Sequence, residues 1–339
     1  MTMNTFGKNF RCTTFGESHG PALGAVVDGC PPGIAFSEDD IRPLLDRRRP
    51  GTGPRVSSRQ ESDEPLILSG IFDGVTTGTP VAIVVYNRDQ RSGDYDALRD
   101  IYRPGHADFT YRKKYGIRDY RGGGRSSGRE TVARVCAGAL AMKLLAQRSI
   151  LVHGRAHEIH GATTEEGMEE EIRQAQGAED SVGGIIEITA SGCPAGLGDP
   201  VFGKLDARIA AAMMSIGAVK GVEIGDGFAA ARMHGSEHND EMGPGGFLTN
   251  HCGGILGGIS TGTDIIVRIA VKPTPSIARS QRTIDTEGRE TVISVTGRHD
   301  PCIVPRAIPV AESMLALVLA DAVLEQEKNR MFSQTRVPR

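Results

Sequence analysis

The chain has 339 residues, of which 39% are hydrophobic and 24% are charged, and its formal net charge is −3. This composition is typical of a soluble globular protein with one large domain or two ordinary ones, and the negative balance argues against bulk attraction to nucleic acid. The 44 glycines predict many tight turns and close backbone approaches. The six cysteines are dispersed and form no C-x-x-C pair, which favours a reducing cytoplasm over a disulfide framework.

The hydrophobic pattern predicts short strands that alternate with amphipathic helices. Runs rich in Val, Ile and Leu predict strands at residues 23–27, 66–72, 81–86, 185–189, 264–271 and 291–295. Periodicity and capping residues predict helices at residues 38–48, 130–147, 165–176, 204–215 and 309–326. The second of these helices has an apolar stripe formed by Val132, Val135, Cys136, Ala139 and Leu140, whereas helix 165–176 is polar and expected to be exposed.

The two ends of the chain carry no pattern of targeting or membrane insertion. Residues 1–11 lack the apolar core of a signal peptide. The apolar run 307–324 is interrupted by Pro309, Glu312 and Asp321, so it predicts a buried core helix instead of a membrane span. We therefore expect a cytoplasmic protein without a membrane partner.

Two segments of the sequence recur in the same order. Residues 25–33 (AVVDGCPPG) resemble residues 186–196 (IEITASGCPAG), and a helix is predicted after each. Residues 77–85 (TGTPVAIVV) resemble residues 261–269 (TGTDIIVRI). We infer an ancient duplication with related halves at roughly 1–150 and 151–339. Because no low-complexity linker separates them, we expect the halves to share one core in a single domain.

The glycine-rich segment 122–131 (GGGRSSGRET) is the clearest candidate for ligand binding. Its three leading glycines permit close approach of the backbone, and Arg125 and Arg129 offer donors suited to phosphate or carboxylate. Ser127 and Glu130 have the spacing of a capping box, which marks a helix start and an anion site. Taken alone, an ordinary capped helix after a glycine loop explains the segment equally well.

Five further clusters lie at predicted loops or element ends, where functional residues concentrate. His19 lies between small residues in segment 15–20 and could act as a general acid, although a lone loop histidine is more often surface decoration. Three arginines at 47–49 precede a Pro-Gly-Thr-Gly turn, which favours anion capture over the usual solvated basic face. A Pro-Gly turn in segment 102–108 could aim Arg103 and His106 into a cleft.

The remaining two clusters lie in the second half. The glycine-rich segment 250–260 leads into a predicted strand, which is followed by the rigid, hydroxyl-bearing segment 272–277. Segment 297–302 places Asp300 beside a cation before the last helix. Together the clusters supply two histidines, one candidate carboxylate base and many arginines. That inventory suits proton transfer on a polyanionic small molecule with phosphate as a bound or leaving group.

Several other function classes lack their signatures. The chain has no dinucleotide-binding G-x-G-x-x-G unit, no Walker A lysine and no G-x-S-x-G elbow. His153, His157 and His160 lack the companions of a zinc site, so no metal is expected. A phosphate-ester kinase or phosphatase remains a rival, weakened by the missing lysine and carboxylate cluster. An RNA-binding module is a second rival, weakened by the net charge and the lack of stacking aromatics.

Six motifs taken together resemble the chorismate synthase family: residues 16–20 (GESHG), 103–108 (RPGHAD), 123–131 (GGRSSGRET), 250–258 (NHCGGILGG), 272–277 (KPTPSI) and 298–301 (RHDP). The resemblance runs from about residue 4 to the C-terminal helix, and segment 148–182 carries no family motif. It implies an α+β fold, a β-α-β sandwich with helices between two antiparallel sheets, assembled as a homotetramer.

The resemblance also implies an activity, the last step of the shikimate pathway. The small-molecule substrate 5-enolpyruvylshikimate 3-phosphate loses phosphate by trans 1,4-elimination to give chorismate, with reduced FMN required although no net redox change occurs. Without an obvious extra segment, the chain is similar to relatives that rely on an outside reductant, with NADPH acting through a separate reductase.

Residue roles follow from the same resemblance. His19 would protonate the departing phosphate, His106 would manage the charge of the reduced flavin near its N1, and Asp300 would accept the ring proton relayed through N5. Ser18 and Ser127 would assist by hydrogen bonding. The expected FMN contacts are Arg125, Ser126, Ser127, Gly217, Ala218, Gly257, Lys272, Pro273, Thr274, Pro275, Ser276 and Arg298. The arginines expected to bind substrate or NADP are Arg48, Arg55, Arg103 and Arg129. Many relatives carry Asn where Gly217 stands, so a contact there would come from the backbone.

Overall fold

The computed structural model describes residues 4–49, 63–87, 98–295 and 300–333, with side chains to residue 329. Its strands are β1 Thr5–Phe6, β2 Arg11–Gly16, β3 Ala22–Asp28, β4 Pro65–Ile67, β5 Ile71–Phe72, β6 Val75–Thr76, β7 Val81–Tyr86, β8 Leu151–Ile159, β9 Gly184–Ser191, β10 Val219–Ile224, β11 Met242–Gly243, β12 Gly246–Phe247, β13 Ile255–Leu256, β14 Ile259–Ser260, β15 Ile265–Val271, β16 Gln281–Ile284 and β17 Glu290–Ile293. Its α-helices are α1 Glu38–Arg48, α2 Asp108–Tyr115, α3 Thr131–Ala146, α4 Glu165–Gly177, α5 Leu205–Met214, α6 Gly235–His238 and α7 Val304–Ser333.

Two antiparallel sheets enclose a layer of helices. The first sheet has five strands in the order β1-β2-β3-β7-β4, and the second has four in the order β10-β15-β9-β8. Helices α3 and α7 pack against each other, α3 contacts β3 and β7 of the first sheet, and α7 contacts β8 and β9 of the second. Helix α1 lies beside β4, and α5 lies beside β10. The predicted β-α-β sandwich is therefore confirmed.

The two central helices are buried on nearly every side. More of α3 is buried than the predicted apolar stripe, because sheets and helices surround this helix and bury Ala133, Ala137 and Leu144 as well. Gly138 permits the tight crossing with α7, since a Cβ there would lie 2.2 Å from the Cβ of Ser313. Among the described helices, the segment Val304–Asn329 of α7 is long and apolar enough to cross a membrane, but 94% of its apolar window is buried inside the fold.

Some local expectations are wrong. Residues 66–72 form two strands, β4 and β5, because Gly70 adopts a φ of +82° and turns the chain between them. Strand β2 was not expected, since RCTTFG shows little hydrophobic alternation, and helix α2 was hidden by its charged sequence DFTYRKKY. Glycine and polar surface elements thus account for these errors, whereas buried strands such as β7 match their predicted bounds.

Corresponding strands occupy corresponding places in the two sheets. The order β2-β3-β7-β4 in one matches β8-β9-β15-β10 in the other, including helices α1 and α5 after β3 and β9. The buried hydroxyl of Thr76 donates to the carbonyl of Pro31 at 2.7 Å, and that of Ser260 donates to the carbonyl of Pro194 at 2.6 Å. Each hydroxyl also accepts from the backbone N–H three residues beyond the proline, at 3.0 and 2.8 Å. The inferred duplication stays a prediction, and this likeness supports it.

A buried carboxylate ties the start of the chain to its last helix. Asp321 on α7 accepts hydrogen bonds from the backbone N–H groups of Lys8 at 3.1 Å and Phe10 at 2.9 Å, and its second oxygen pairs with Arg208 of α5. Multiple donors offset the cost of burying this charge.

Candidate active site

The turn between β2 and β3 buries His19 and Ser18. Both side chains are less than one-tenth exposed, at 6% and 2%. Gly122, with a φ of +65°, packs directly against them, so that a Cβ at this position would lie 2.5 Å from His19 Cδ2 and 3.0 Å from Ser18 Oγ. The glycine-rich segment therefore forms one wall around the candidate acid.

Asn87 joins this turn to an arginine. It follows β7, and its side-chain amide donates to the carbonyl oxygens of Gly20 at 2.7 Å and Glu17 at 3.1 Å. Its amide oxygen accepts from Arg129 Nε at 3.0 Å. The two ends of the His19 turn and the Arg129 guanidinium are thus held by one buried side chain.

Arg48, Arg129 and Arg306 share a positively charged region, most of which is buried. Arg48 donates to Thr131 Oγ1 and to the Gly128 carbonyl, each at 2.9 Å. Burial, together with the charge of Arg306, lowers the pKa of Arg48 from 12.5 to about 9. Because burial and repulsion disfavour the charged form of Arg48, an anion bound nearby would stabilise that form.

Two carboxylates lie among these arginines. Asp63 is 1% exposed and contacts both Arg48, at 3.4 Å, and Arg129. Asp300 pairs with Arg306, which also donates to the backbone carbonyl of Arg48 at 2.9 Å. Among the described residues, Arg48 and Arg129 pair with Asp63 and Arg306 pairs with Asp300, and this group of cations would attract an anionic ligand.

The segment after the first sheet holds Arg103 in a fixed orientation. Its guanidinium makes two hydrogen bonds with Asp108, at 2.8 and 2.9 Å, and Arg118 approaches the same carboxylate at 3.3 Å. Although burial acts in the opposite direction, the hydrogen bonds and charge of Arg103 lower the pKa of Asp108. A Cβ on Gly123 would lie 3.7 Å from this guanidinium, which places Arg103 beside the glycine wall.

His106 bridges to the second half of the chain. Its Nδ1 lies 3.0 Å from the carbonyl oxygen of Pro104 and its Nε2 lies 2.9 Å from Ser276 Oγ. Because a carbonyl only accepts, Nδ1 carries the proton and Nε2 accepts from the serine hydroxyl. Burial and the charge of Arg103 lower the pKa of His106 from 6.5 to about 4, so the ring is neutral at pH 7.

The hydroxyl-bearing segment after β15 packs on the His106 segment. Lys272 Nζ donates to the Gly105 carbonyl at 2.8 Å, and its backbone N–H donates to the Ala218 carbonyl at 2.9 Å. Gly105 allows this contact, since a Cβ there would lie 2.7 Å from the Cβ of Pro275. The structure therefore brings Ala218 and the 272–276 segment to the histidine.

The start of α3 differs from the expected capping box. Ser127 Oγ accepts from the Arg129 N–H at 3.3 Å and caps a 3-10 turn, Gly128–Glu130. Glu130 does not complete the box, because its carboxylate accepts from Thr14 at 2.9 Å and from Arg134 at 2.8 Å. The expectation is thus correct for the serine and wrong for the glutamate.

Two flavin candidates in the same segment already have protein partners. Arg125 donates to Thr14 Oγ1 at 2.7 Å and to the Gly16 carbonyl at 3.2 Å. Ser126 Oγ donates to the Gly123 carbonyl at 2.7 Å. The bonds of Arg125 hold the segment against β2, whereas the Ser126 hydroxyl, which donates to Gly123, can still accept a hydrogen bond from a ligand.

Not every candidate residue lies with this group. Gly257 is in the β13–β14 hairpin, whose Gly258 carbonyl accepts from Leu205 N at the start of α5. Gly217 and Ala218 follow the end of α5, and a helix of its length spans about 15 Å. Arg55 and Arg298 lie outside the described residues. Within one chain, Gly257 is therefore separated from the other candidates.

Sequence reasoning missed Asp63, Asn87, Asp108 and Arg306. Asp108 stands in a recognised motif, but its role as the partner of Arg103 depends on the fold. Asn87 had one usable signal, a polar residue at the end of a buried strand. Asp63 and Arg306 stand in no recognisable pattern, and only the packing of α1, α3 and α7 shows their pairing.

Comparisons with known proteins agree on one family. The model of the family described as chorismate synthase matches residues 10–324. The chain is 54% identical over 344 residues to the chorismate synthase of Syntrophobacter fumaroxidans, with 96% of this chain and 98% of that protein covered. It is 54% identical over 353 residues to that of Methanocella arvoryzae, with 96% and 95% covered.

A solved structure, described as the crystal structure of chorismate synthase, shares 33% identity and a TM-score of 0.73, and the match covers 95% of this chain and 93% of the other. The breadth of these matches extends the likeness from the motifs to the whole fold. The chain therefore belongs to the chorismate synthase family, lyases of aromatic amino-acid biosynthesis that use a flavin and eliminate phosphate from 5-enolpyruvylshikimate 3-phosphate to form chorismate.

Proposed function

We propose that the buried arginine region binds the phosphate and carboxylates of 5-enolpyruvylshikimate 3-phosphate, that His19 acts as the acid and Asp300 as the base, and that the cofactor is reduced FMN. The observation that carries this proposal is the positive charge of the buried Arg48 and Arg129 and of the partly exposed Arg306 next to Arg48. A substrate with one phosphate and two carboxylates matches such a group of cations, and guanidinium groups suit both kinds of anion.

The site offers a flavin unsatisfied polar atoms beside a neutral histidine. Ser18 Oγ and Thr274 Oγ1 are buried and make no hydrogen bond within the described part of the chain. Buried hydroxyls of this kind are usually satisfied, so a ligand is their natural partner. The neutral ring of His106, held by Ser276, can gain a proton near a negatively charged ligand. These features fit the ring and phosphate of FMN.

The proposed flavin contacts are the backbone and side chains of Arg125, Ser126, Ser127, Gly217, Ala218, Gly257, Lys272, Pro273, Thr274, Pro275, Ser276 and Arg298. When bound, the reduced flavin supplies electron density as the carbon–oxygen bond to phosphate breaks and a nitrogen through which the ring proton can leave. Arg55 and Arg103 complete the proposed substrate or NADP contacts, and Arg103 is kept rigid by Asp108.

His19 and Asp300 take opposite proton roles in this proposal. His19 is buried against Gly122, so it can pass a proton to the departing phosphate oxygen with little competition from water. The Asp300 carboxylate is held by Arg306, which also contacts the Arg48 backbone, and it receives the ring proton. The arginines then stabilise the charge of the phosphate that leaves.

We also propose a cytoplasmic homotetramer that receives reducing equivalents from outside, from NADPH through a separate reductase. All six cysteines are free, which suits a reducing compartment. Large apolar side chains are exposed in the second half, including Phe202 at 99%, Phe228 at 73% and Leu248 at 66%. Contact with other copies of the chain would cover them.

The test is anaerobic turnover. Purified protein with chemically reduced FMN and 5-enolpyruvylshikimate 3-phosphate should release equal amounts of phosphate and chorismate, and oxidised FMN alone should give neither. His19→Ala should lower kcat about 10²–10⁴-fold, whereas His160→Ala, at an exposed position of β8's end, serves as the matched histidine control and should retain parent activity. Absence of chorismate under reducing conditions would refute the proposal. NADPH with oxidised FMN should become productive only after a flavin reductase is added.

Asp300→Asn separates a chemical role from a structural one. The variant should turn over far more slowly while FMN affinity, measured by fluorescence quenching, stays near that of the parent. A large loss of flavin binding would instead assign Asp300 to cofactor binding.

A further inference from the structure

Neither the family motifs nor the proposed reaction gives Asn87 a role. It is 8% exposed and directly follows β7, a strand paired on both sides, and its backbone N–H donates to the carbonyl of Pro21 at 3.0 Å. Its location is therefore fixed by the first sheet. From there its two amide hydrogens reach the two ends of the turn that carries His19, and its amide oxygen reaches Arg129.

The three hydrogen bonds use both N–H donors of the amide and one lone pair of its oxygen. The N–H groups face the carbonyls of Glu17 and Gly20, and the oxygen faces the guanidinium of Arg129, so no other side chain of similar size supplies both functions. Arg129 is simultaneously held by Asp63. The turn that carries His19 and the guanidinium of Arg129 are consequently held by the same buried side chain.

We propose that Asn87 is a positioning residue that sets the placement of His19 relative to the substrate phosphate held at Arg129. This inference rests on the proposed roles of His19 and Arg129. Asn87 touches neither substrate nor cofactor in this account and acts only through these two residues. A displacement of about 1 Å between an acid and its acceptor can lower a rate about 10²-fold, which gives such a residue a large effect on turnover.

Two substitutions separate the two arms. Asn87→Asp keeps an oxygen for Arg129 but turns a carboxylate oxygen toward the carbonyls of Glu17 and Gly20, so the turn is released while the arginine remains held. We expect kcat to fall about 10–100-fold. KM should rise as well, because the new carboxylate offsets the charge of Arg129. Asn87→Ala removes both arms, so kcat should fall by a similar factor and KM should rise about tenfold, as Arg129 loses a hydrogen bond to its charged group.

A double-mutant cycle tests whether the effect passes through His19. In a His19→Ala background, Asn87→Asp should change kcat by less than about threefold, because the acid that it positions is gone. An equal fall of kcat with and without His19 would overturn the positioning role. A strong His19→Ala effect combined with parent-like turnover of Asn87→Asp would refute this inference alone and leave the proposed function intact.

Hydrogen exchange gives a readout that does not depend on activity. Amides of residues 17–20 should exchange faster in Asn87→Asp than in the parent, with unchanged exchange in α3. Thr76 is the control, since its hydroxyl also ties a turn of the first sheet, donating to the Pro31 carbonyl at 2.7 Å and accepting from Ile34 N at 3.0 Å. Thr76→Val should lower the melting temperature with kcat unchanged. Parent-like exchange at residues 17–20 in Asn87→Asp would also overturn the inference.

Discussion

The segments that follow β7 and β15 hold corresponding places in the two halves, yet they serve the site differently. Each contains a cation followed by proline, Arg103-Pro104 in one and Lys272-Pro273 in the other. The first is buried and brings charge and a titratable ring, whereas the second brings hydroxyls and a more exposed lysine. They meet where Lys272 donates to Gly105 and where His106 meets Ser276. Two parts with similar places in the fold thus make an asymmetric candidate site, because their side chains differ.

At the other ends of β7 and β15, by contrast, the two halves are alike. Thr76 and Ser260 make matching pairs of hydrogen bonds, which close the turns after β3 and β9. These contacts complete the fold in the same way in both halves. The two halves therefore differ more at the end of the sheets that carries the candidate site.

A large effect on turnover is expected from filling the glycine wall of the first half. Gly122→Ala places a methyl group against the His19 ring at a φ of +65° that disfavours alanine, so kcat should fall at least about 10²-fold. Gly128→Ala is the control from the same segment, since a Cβ there meets nothing within 4 Å. Steady-state kinetics of both variants would measure the contrast, and equal activities would show that the wall is not needed.

The contact between the two halves is expected to matter next. His106→Ala should lower kcat about 10²–10⁴-fold if the ring handles a proton. Ser276→Ala removes only the partner of Nε2 and should cost about tenfold. Substrate affinity should persist in both, as judged by equilibrium binding. Turnover of His106→Ala within a few-fold of the parent would discard the proton-handling role of His106.

A pH series isolates the buried ring of the first half. The pKa of His106 is lowered from 6.5 to about 4 in the folded state, so on acidification the unfolded chain takes up the proton first. The contribution of the ring to stability is complete above pH 6.5 and is lost as the pH falls toward 4. The free energy of unfolding of the parent, measured with denaturant, should therefore fall more steeply across this pH window than that of His106→Asn. Parallel curves would contradict a neutral buried ring.

The smallest effect on turnover is expected at the matching turns. Thr76→Val and Ser260→Ala each remove one donor and one acceptor that are buried, which should lower the free energy of unfolding by about 2 kcal/mol. Both variants should keep parent kcat. Chemical denaturation would show whether the two losses agree, and a clearly unequal pair would weaken the proposed kinship of the halves.

The sequence predicted those parts of the fold that depend on local pattern. Helix α1 and strand β7 match their predicted bounds because apolar spacing and caps determine them. The motifs also identified His19, His106 and Asp300, because those residues stand in recognisable strings. The pairing of Asp63 with two arginines could not be predicted, since the partners come from distant segments and meet only when the helices pack. The exposed helix α2 and the break at Gly70 were not predicted, because neither shows the sequence pattern of a buried face.

The tie between Asp321 and the backbone of residues 8–10 bears on biosynthesis. A ribosome releases the N-terminal strands long before α7, which supplies the carboxylate and the central layer between the sheets. Until that last helix emerges, β8 and β9 of the second sheet lack their main helical partner, and the face of α3 that packs on α7 stays uncovered. We therefore expect this chain to reach its native state only after synthesis is complete, and to depend on chaperones during the interval more than a protein whose core closes from its N-terminus.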